Sequence, residues 1–222
     1  MNRLLIFDFD GVIADSEVLS NTVLAECISE IGVPTTVDDS YRLYMGKRLP
    51  EIASAVAVAA CRPLSENFAV DFEARVLTRF RGELRLVRGV RDYIAAFSEM
   101  PRCIASASSP ERLGLCVELL GLGDVFGPNV FSAAKVPRGK PYPDVFLYAA
   151  AAMGADPAGC VVLEDGVAGV RAGVAAGMTV IGILAGSHVN DGHGTRLRQA
   201  GAHFVAADFE EACVITRALL AR

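Results

Sequence analysis

Four places in this 222-residue chain carry side chains whose types and spacing could do chemistry together: Asp8 with Asp10, Ser106, Lys140, and Glu164 with Asp165. Asp8 and Asp10 close the apolar run Leu4-Leu5-Ile6-Phe7, just before Gly11. Alternate side chains of an extended strand point the same way, so the two carboxylates can project together where the strand relaxes into a loop. Like charges so placed are unfavourable unless a cation or a shared proton separates them. Asp8, Asp10 and Asp165 offer hard oxygen ligands in the small number that suits Mg2+, which keeps several waters and also binds substrate phosphate. The Ser106 hydroxyl, with the N–H groups that open the next helix, suits a phosphoryl oxygen. Lys140 adds a point charge able to pair with phosphate and carboxylates alike. Carboxylates, a cation and an anion cradle together read as phosphoryl transfer.

Singly, each feature has an ordinary explanation. Asp8 and Asp10 can be a solvated strand end, Ser106-Ala107-Ser108-Ser109 a helix cap, and Lys140 a solvated loop lysine. Glu164-Asp165 favours a helix start through the helix dipole. What joins them is their placement at successive strand ends. Cys103-Ile104-Ala105, Val130-Phe131, Cys160-Val161-Val162-Leu163, Thr179 to Leu184 and Phe204-Val205 read as strands. Between them Pro110 to Leu120, Pro143 to Met153, Val167 to Ala176, Arg196 to Ala200 and Phe209 to Leu220 read as helices. Strands spaced by helices of this length predict a parallel sheet covered on both faces. In such a doubly wound sheet, ligands bind outside the carboxyl ends of the strands.

From about Asp15 to Arg85 the patterns are helical and no strand is convincing. Leu24, Cys27, Ile28 and Ile31 recur at helical spacing after the cap-like Asp15-Ser16, while Pro50 to Ala60 and Ser65 to Arg81 read as further helices. Tyr44-Met45-Gly46-Lys47-Arg48 reads as a loop. The expected organisation is therefore a Rossmann-like core of residues 1–14 and 86–222 with an all-helical insertion over 15–85. Gly169, Gly173 and Gly177 predict close packing of their helix on the sheet. His188 and His193, in a glycine-rich stretch, read as part of a surface loop.

Composition bounds the function. With 52% hydrophobic and 21% charged residues the chain is globular. A net charge of -5 and no Lys/Arg run argue against nucleic acid and anionic membranes as partners. The six cysteines are dispersed, with no C-x-x-C, and read as buried thiols of a reducing cytoplasm. The apolar run after Arg3 is too short for a signal peptide, and no later run reaches a membrane span. A monomer is the default expectation.

The four motifs, Asp8-Phe9-Asp10-Gly11-Val12-Ile13, Ser106 after Cys103-Ile104-Ala105, Lys140 in Gly139-Lys140-Pro141-Tyr142-Pro143-Asp144, and Glu164-Asp165, resemble those of the haloacid dehalogenase-like hydrolase superfamily. The branch they resemble holds phosphoglycolate phosphatase-like and β-phosphoglucomutase-like enzymes. The resemblance covers nearly the full length and implies a helical cap inserted after the first motif. It also implies that Asp8 is a nucleophile forming an aspartyl-phosphate and Asp10 the general acid/base. Asp8, the main-chain carbonyl of Asp10 and Asp165 would hold Mg2+, with Glu164 in or beside the shell, and Ser106 and Lys140 would grip the phosphoryl group. Arg48, or Lys47, could meet the substrate's distal groups.

Asp10 disfavours a dehalogenase, and Ser20 stands where mutase-like relatives carry a histidine. The resemblance thus implies a phosphatase of a small phosphorylated metabolite, a sugar phosphate or 6-phosphogluconate-like acid, ahead of a phosphomutase. A non-enzymatic switch phosphorylated on Asp8 is the third reading, which the neighbouring base opposes.

Overall fold

Apolar runs buried on both faces make parallel strands, and six are present in the computed structural model, which describes residues 3–44 and 49–221. They are β1 (Leu4–Phe7), β2 (Arg102–Ser106), β3 (Val130–Ser132), β4 (Cys160–Glu164), β5 (Thr179–Ile183) and β6 (Phe204–Ala206). Their order is 3-2-1-4-5-6 and every neighbouring pair is parallel. The helices are α1 (Glu17–Glu30), α2 (Val37–Tyr44), α3 (Leu49–Ala59), α4 (Phe68–Glu83), α5 (Val90–Ala96), α6 (Pro110–Leu119), α7 (Gly123–Phe126), α8 (Asp144–Ala152), α9 (Val167–Ala175), α10 (His193–Gln199) and α11 (Phe209–Leu220).

Alternation along β1 assigns the two faces of the sheet. Leu4 and Ile6 join Cys103, Val162 and Val180 against Val145, Phe146 and Ala149 of α8, Val170 and Ala172 of α9, and Leu197 of α10. Phe7 points the other way and meets Tyr93 of α5 and Phe126 of α7 edge-on, with ring centroids 5.9 and 5.7 Å apart. Tyr93 in turn packs on Phe209 of α11. Each such aromatic contact adds roughly 0.5–1.5 kcal/mol to the area it buries. The α/β, doubly wound architecture expected from the sequence is the one found. The close approach expected of α9 is also found, since a Cβ at Gly173 would lie 2.7 Å from Val180 Cγ2.

The chain divides into two compact units, Met1–Asp15 with Arg85–Arg222, which holds the sheet, and Ser16–Leu84. In the second unit α1 packs on α2 and α4, and α3 on α4, around Leu24, Ile28, Val56, Val76 and Phe80. A buried Ser40 hydroxyl donates to Asn21 Oδ1 at 2.9 Å and ties α2 to α1.

Among the boundaries that differ from expectation are α10, which starts at His193 rather than Arg196, and two in the second unit. Helix α4 starts at Phe68 rather than Ser65, because the Ser65 hydroxyl accepts the Asn67 N–H and holds a turn there. Tyr44 ends α2 instead of opening a loop, and the remainder of that expected loop, with Arg48, lies outside the described residues. All six cysteines are free thiols; Cys27, Cys103, Cys116 and Cys160 are buried as expected, whereas Cys213 is half-buried and Cys61, in the turn after α3, is exposed. No described helix is long and apolar enough to cross a membrane.

Candidate active site

Register brings the acids together. Phe7 pairs with Leu163, and the Asp8 N–H continues the ladder by donating to Leu163 O at 2.9 Å. The next residues of the two strands, Asp8 on β1 and Glu164 with Asp165 on β4, therefore emerge side by side. They do so at the carboxyl ends, between the two strands where the order reverses, which is where doubly wound sheets bind ligands. Asp8, Glu164 and Asp165 each present a carboxylate oxygen within 4.8 Å of the others, and all three residues are buried.

Lys140 reaches this cluster from the loop before α8. Its Nζ donates to Asp8 Oδ1 at 2.8 Å and to Glu164 Oε1 at 2.7 Å, and it lies 4.9 Å from the centroid of the Phe146 ring. Glu164 Oε2 accepts the Gly166 N–H at 2.7 Å, so both of its oxygens are engaged. A Cβ at Gly169 would lie 1.5 Å from Glu164 Oε1, and only glycine there leaves room for this carboxylate.

Burial pushes the Asp8 carboxyl well above its ordinary range; Lys140 opposes that rise, while Glu164 and Asp165 add to it. Glu164 is raised for the same first reason, again against Lys140. Burial alone would lower Lys140, but the charges of Asp8 and Glu164 overcome it and hold the ammonium in its charged form. Lys140 is thus paired with two carboxylates, while the acids are raised first by burial and then by one another.

Asp10 is held elsewhere. Its Oδ2 accepts from Ser108 Oγ at 2.6 Å and its Oδ1 from Arg112 at 2.7 Å. Ser106, buried at the end of β2, accepts the Ser108 N–H at 3.0 Å, and Ser109 caps α6 by accepting the Arg112 N–H at 3.2 Å. Ser132, ending β3, donates to Ser108 O at 2.6 Å and supports that turn from the next strand. Immediately after the two acids Gly11, at φ +79°, lets the chain fold back so that Gly11 N–H reaches Ala14 O at 2.8 Å.

The structure thus joins the side chains of Asp8, Lys140 and Asp165, with Glu164 among them, and sets the Asp10 side chain with Ser108 and Arg112. Arg112, which the sequence does not single out, stands in the first turn of α6 and bonds across 102 residues of chain. His188 and His193 depart from their sequence reading. Rather than lying in a surface loop, both are buried, because each bonds to Asp165: His188 through the carboxylate and His193 through the main-chain carbonyl. The strand-end rule, carried one strand further to the segment after β5, would have pointed to them.

Known proteins are similar to this chain over most of its length. A 6-phosphogluconate phosphatase of Escherichia coli K12 is 28% identical over 191 residues, 85% of this chain and 86% of that protein. Hexitol phosphatase B of the same organism is 31% identical over 190 residues, covering 84% and 85%. A crystal structure of a conserved haloacid dehalogenase-like protein of unknown function from Agrobacterium tumefaciens is 34% identical, with a TM-score of 0.88 over 99% of this chain and 100% of that one. The family model for haloacid dehalogenase-like hydrolases matches residues 3–177, from β1 through the whole carboxylate cluster to the end of α9, and the chain belongs to that family.

Proposed function

We propose that the protein is a Mg2+-dependent phosphatase that hydrolyses a small phosphorylated metabolite, a sugar phosphate or 6-phosphogluconate-like acid, through an aspartyl-phosphate on Asp8. The observation that carries this reading is the buried cluster of Asp8, Glu164 and Asp165 with Lys140 as the one ammonium bonded to it among the described residues. Three hard oxygen donors in excess of local positive charge fit a small divalent cation. Asp8, Asp165 and the main-chain carbonyl of Asp10 would hold it, and Glu164, with both oxygens engaged, would stand beside it orienting Lys140. When bound, Mg2+ supplies charge neutralisation at the phosphoryl oxygens.

The remaining work falls to the chain's own residues. The Asp8 carboxylate attacks phosphorus, the bond from phosphorus to the ester oxygen breaks, and Asp10 gives that oxygen its proton. Water then attacks the aspartyl-phosphate, Asp10 takes the water's proton, and cleavage of the bond from phosphorus to the Asp8 oxygen releases phosphate and restores Asp8. Lys140 and Ser106 grip the phosphoryl group throughout. The unit of α1 to α4 acts as the cap that excludes water. Free thiols at all six cysteines suit a cytoplasmic enzyme. The enzyme is taken to act as a monomer.

The names of the two E. coli relatives support the substrate class. The test is phosphate release by the purified protein with MgCl2, from p-nitrophenyl phosphate and from a panel including 6-phosphogluconate and hexitol phosphates. Turnover that disappears in Asp8→Asn is expected. Inertness toward the whole panel overturns the proposal.

A further inference from the structure

Two histidines that the mechanism above does not use stand behind Asp165. His188 Nε2 lies 2.9 Å from Asp165 Oδ2, and His193 Nε2 lies 2.6 Å from Asp165 O. The rings meet edge to face at 5.7 Å, and the residues are 7% and 6% exposed. Partner chemistry fixes their protons. A main-chain carbonyl only accepts, so His193 Nε2 carries hydrogen. Arg196 only donates, and it reaches His193 Nδ1 at 3.1 Å, so that nitrogen holds a lone pair and His193 is the neutral Nε2–H tautomer. Arg196 is itself anchored on Asn190 Oδ1 at 2.7 Å. A carboxylate that holds a metal cation only accepts, so with the ion bound His188 Nε2 would carry hydrogen and donate to Asp165 Oδ2.

Space around the pair is equally specific. A Cβ at Gly11 would fall 1.9 Å from Asp165 Oδ2 and 2.9 Å from His188 Cε1, and one at Gly186 would fall 2.6 Å from His188 Cε1. The imidazole and carboxylate fill a slot between two glycine backbones. Ser187, next to His188, is tied down in turn, its N–H and hydroxyl donating to Asp15 Oδ1 at 3.0 and 2.7 Å.

We infer that His188 and His193 are positioning residues for Asp165: one fixes its carboxylate and the other its main chain, so that together they set how tightly the acid cluster binds Mg2+. This rests on the metal reading of the cluster given above. Neither histidine touches the substrate or the reacting atoms. Their effect is on ligand placement, and removing a hydrogen-bond partner of a metal ligand typically weakens metal binding ~10–100-fold.

The test is calorimetric titration of the full chain with MgCl2, beside phosphate-release kinetics at varied Mg2+. His188→Ala should bind Mg2+ ~10–100-fold more weakly while its kcat recovers toward wild type at saturating Mg2+. His188→Gln, whose amide nitrogen can donate from the Nε2 position, should restore most of the affinity. Gly186→Ala, which pushes on the ring without removing it, should weaken Mg2+ in the same direction and carries the test should His188→Ala fail to fold. Mg2+ affinity within twofold of wild type in folded His188→Ala, or in Gly186→Ala, overturns the inference and leaves the phosphatase reading standing. A wild-type protein that takes up no Mg2+ overturns the metal reading and this inference with it.

Discussion

Alanine in place of a glycine inside a helix ordinarily stabilises a protein, by about 0.8–1 kcal/mol. At Gly169 of α9 the sign should reverse. The added Cβ would sit 1.5 Å from Glu164 Oε1 and 2.0 Å from Cδ, so the carboxylate must retreat by about 2 Å to regain an ordinary contact. That movement breaks its 2.7 Å bond from Lys140 and its 2.7 Å bond from the Gly166 N–H. Hydrogen bonds to charged groups contribute about 1.5–3 kcal/mol each, so losing two outweighs the helical gain and leaves a net loss of about 2–5 kcal/mol. At about 2–4 °C per kcal/mol for a chain of this size, the melting temperature should fall by roughly 4–20 °C. Lys140, freed from one of its two carboxylates, should misplace the phosphoryl group, and a displacement near 1 Å costs ~10²-fold in rate. Thermal unfolding by circular dichroism and p-nitrophenyl phosphate turnover measure the two effects. Gly114→Ala is the control: it lies on the exposed side of α6 with nothing within 4 Å of the added Cβ, and should gain up to about 1 kcal/mol with activity unchanged. Gly169→Ala that matches Gly114→Ala in melting temperature and turnover refutes the packing argument.

Lys140→Met should cost about 3–5 kcal/mol, because it leaves buried carboxylates without their cation, and should lower kcat/KM by at least ~10³; turnover within tenfold of wild type would show that the ammonium does not face the substrate. Burial raises the Asp8 and Glu164 carboxyls, against Lys140, so in EDTA the folded chain keeps a proton there to higher pH than the unfolded chain does. The stability this proton contributes is full below the ordinary carboxylate range and is lost as pH rises through the raised values. The melting temperature in EDTA should therefore climb as pH is lowered from 8 toward 5. Excess Mg2+ should flatten that slope, and a melting temperature in EDTA that is independent of pH refutes it. Thr216→Val orphans the buried Tyr93 hydroxyl, which shares a 2.7 Å hydrogen bond with Thr216 Oγ1, and should cost about 1–3 kcal/mol in urea unfolding with turnover unchanged.

The elements that proved legible are those whose signal is local. A strand buried on both faces is a short apolar run, and Leu4 to Phe7 and Cys160 to Leu163 announce themselves without knowledge of any partner. Once they are parallel neighbours, the acids that follow them must meet. The rest of the site depends on partners far along the chain. Nothing in Ser109-Pro110-Glu111-Arg112 says that Arg112 bonds to Asp10, since the sequence around it is complete as an N-cap and first turn. His188 and His193 sit among glycines and polar residues of the kind found in exposed loops, and only the packing of Gly11 and Gly186 against the ring shows that these glycines make room for a buried pair. Lys140 was legible as a cation for the carboxylates, but which oxygen of Glu164 it takes depends on Gly169 clearing the path of that carboxylate.

The separation of the two acids of the first motif bears on what the protein does with a phosphoryl group. Asp8 is embedded among carboxylates and an ammonium, whereas Asp10 is gripped by Ser108 and Arg112 from the second strand end. Two carboxylates given such different surroundings are suited to different tasks, one to attack and one to move protons. A switch that stores phosphate on Asp8 gains nothing from a second acid fixed by two partners, because a base held near an acyl phosphate shortens its life. On the proposed mechanism turnover would gain from it directly: an acid already oriented by Ser108 and Arg112 would lose less freedom in protonating the leaving oxygen and would be in place to activate the water that follows. The anchoring of Asp10 therefore argues for hydrolysis over storage, independently of the metal cluster.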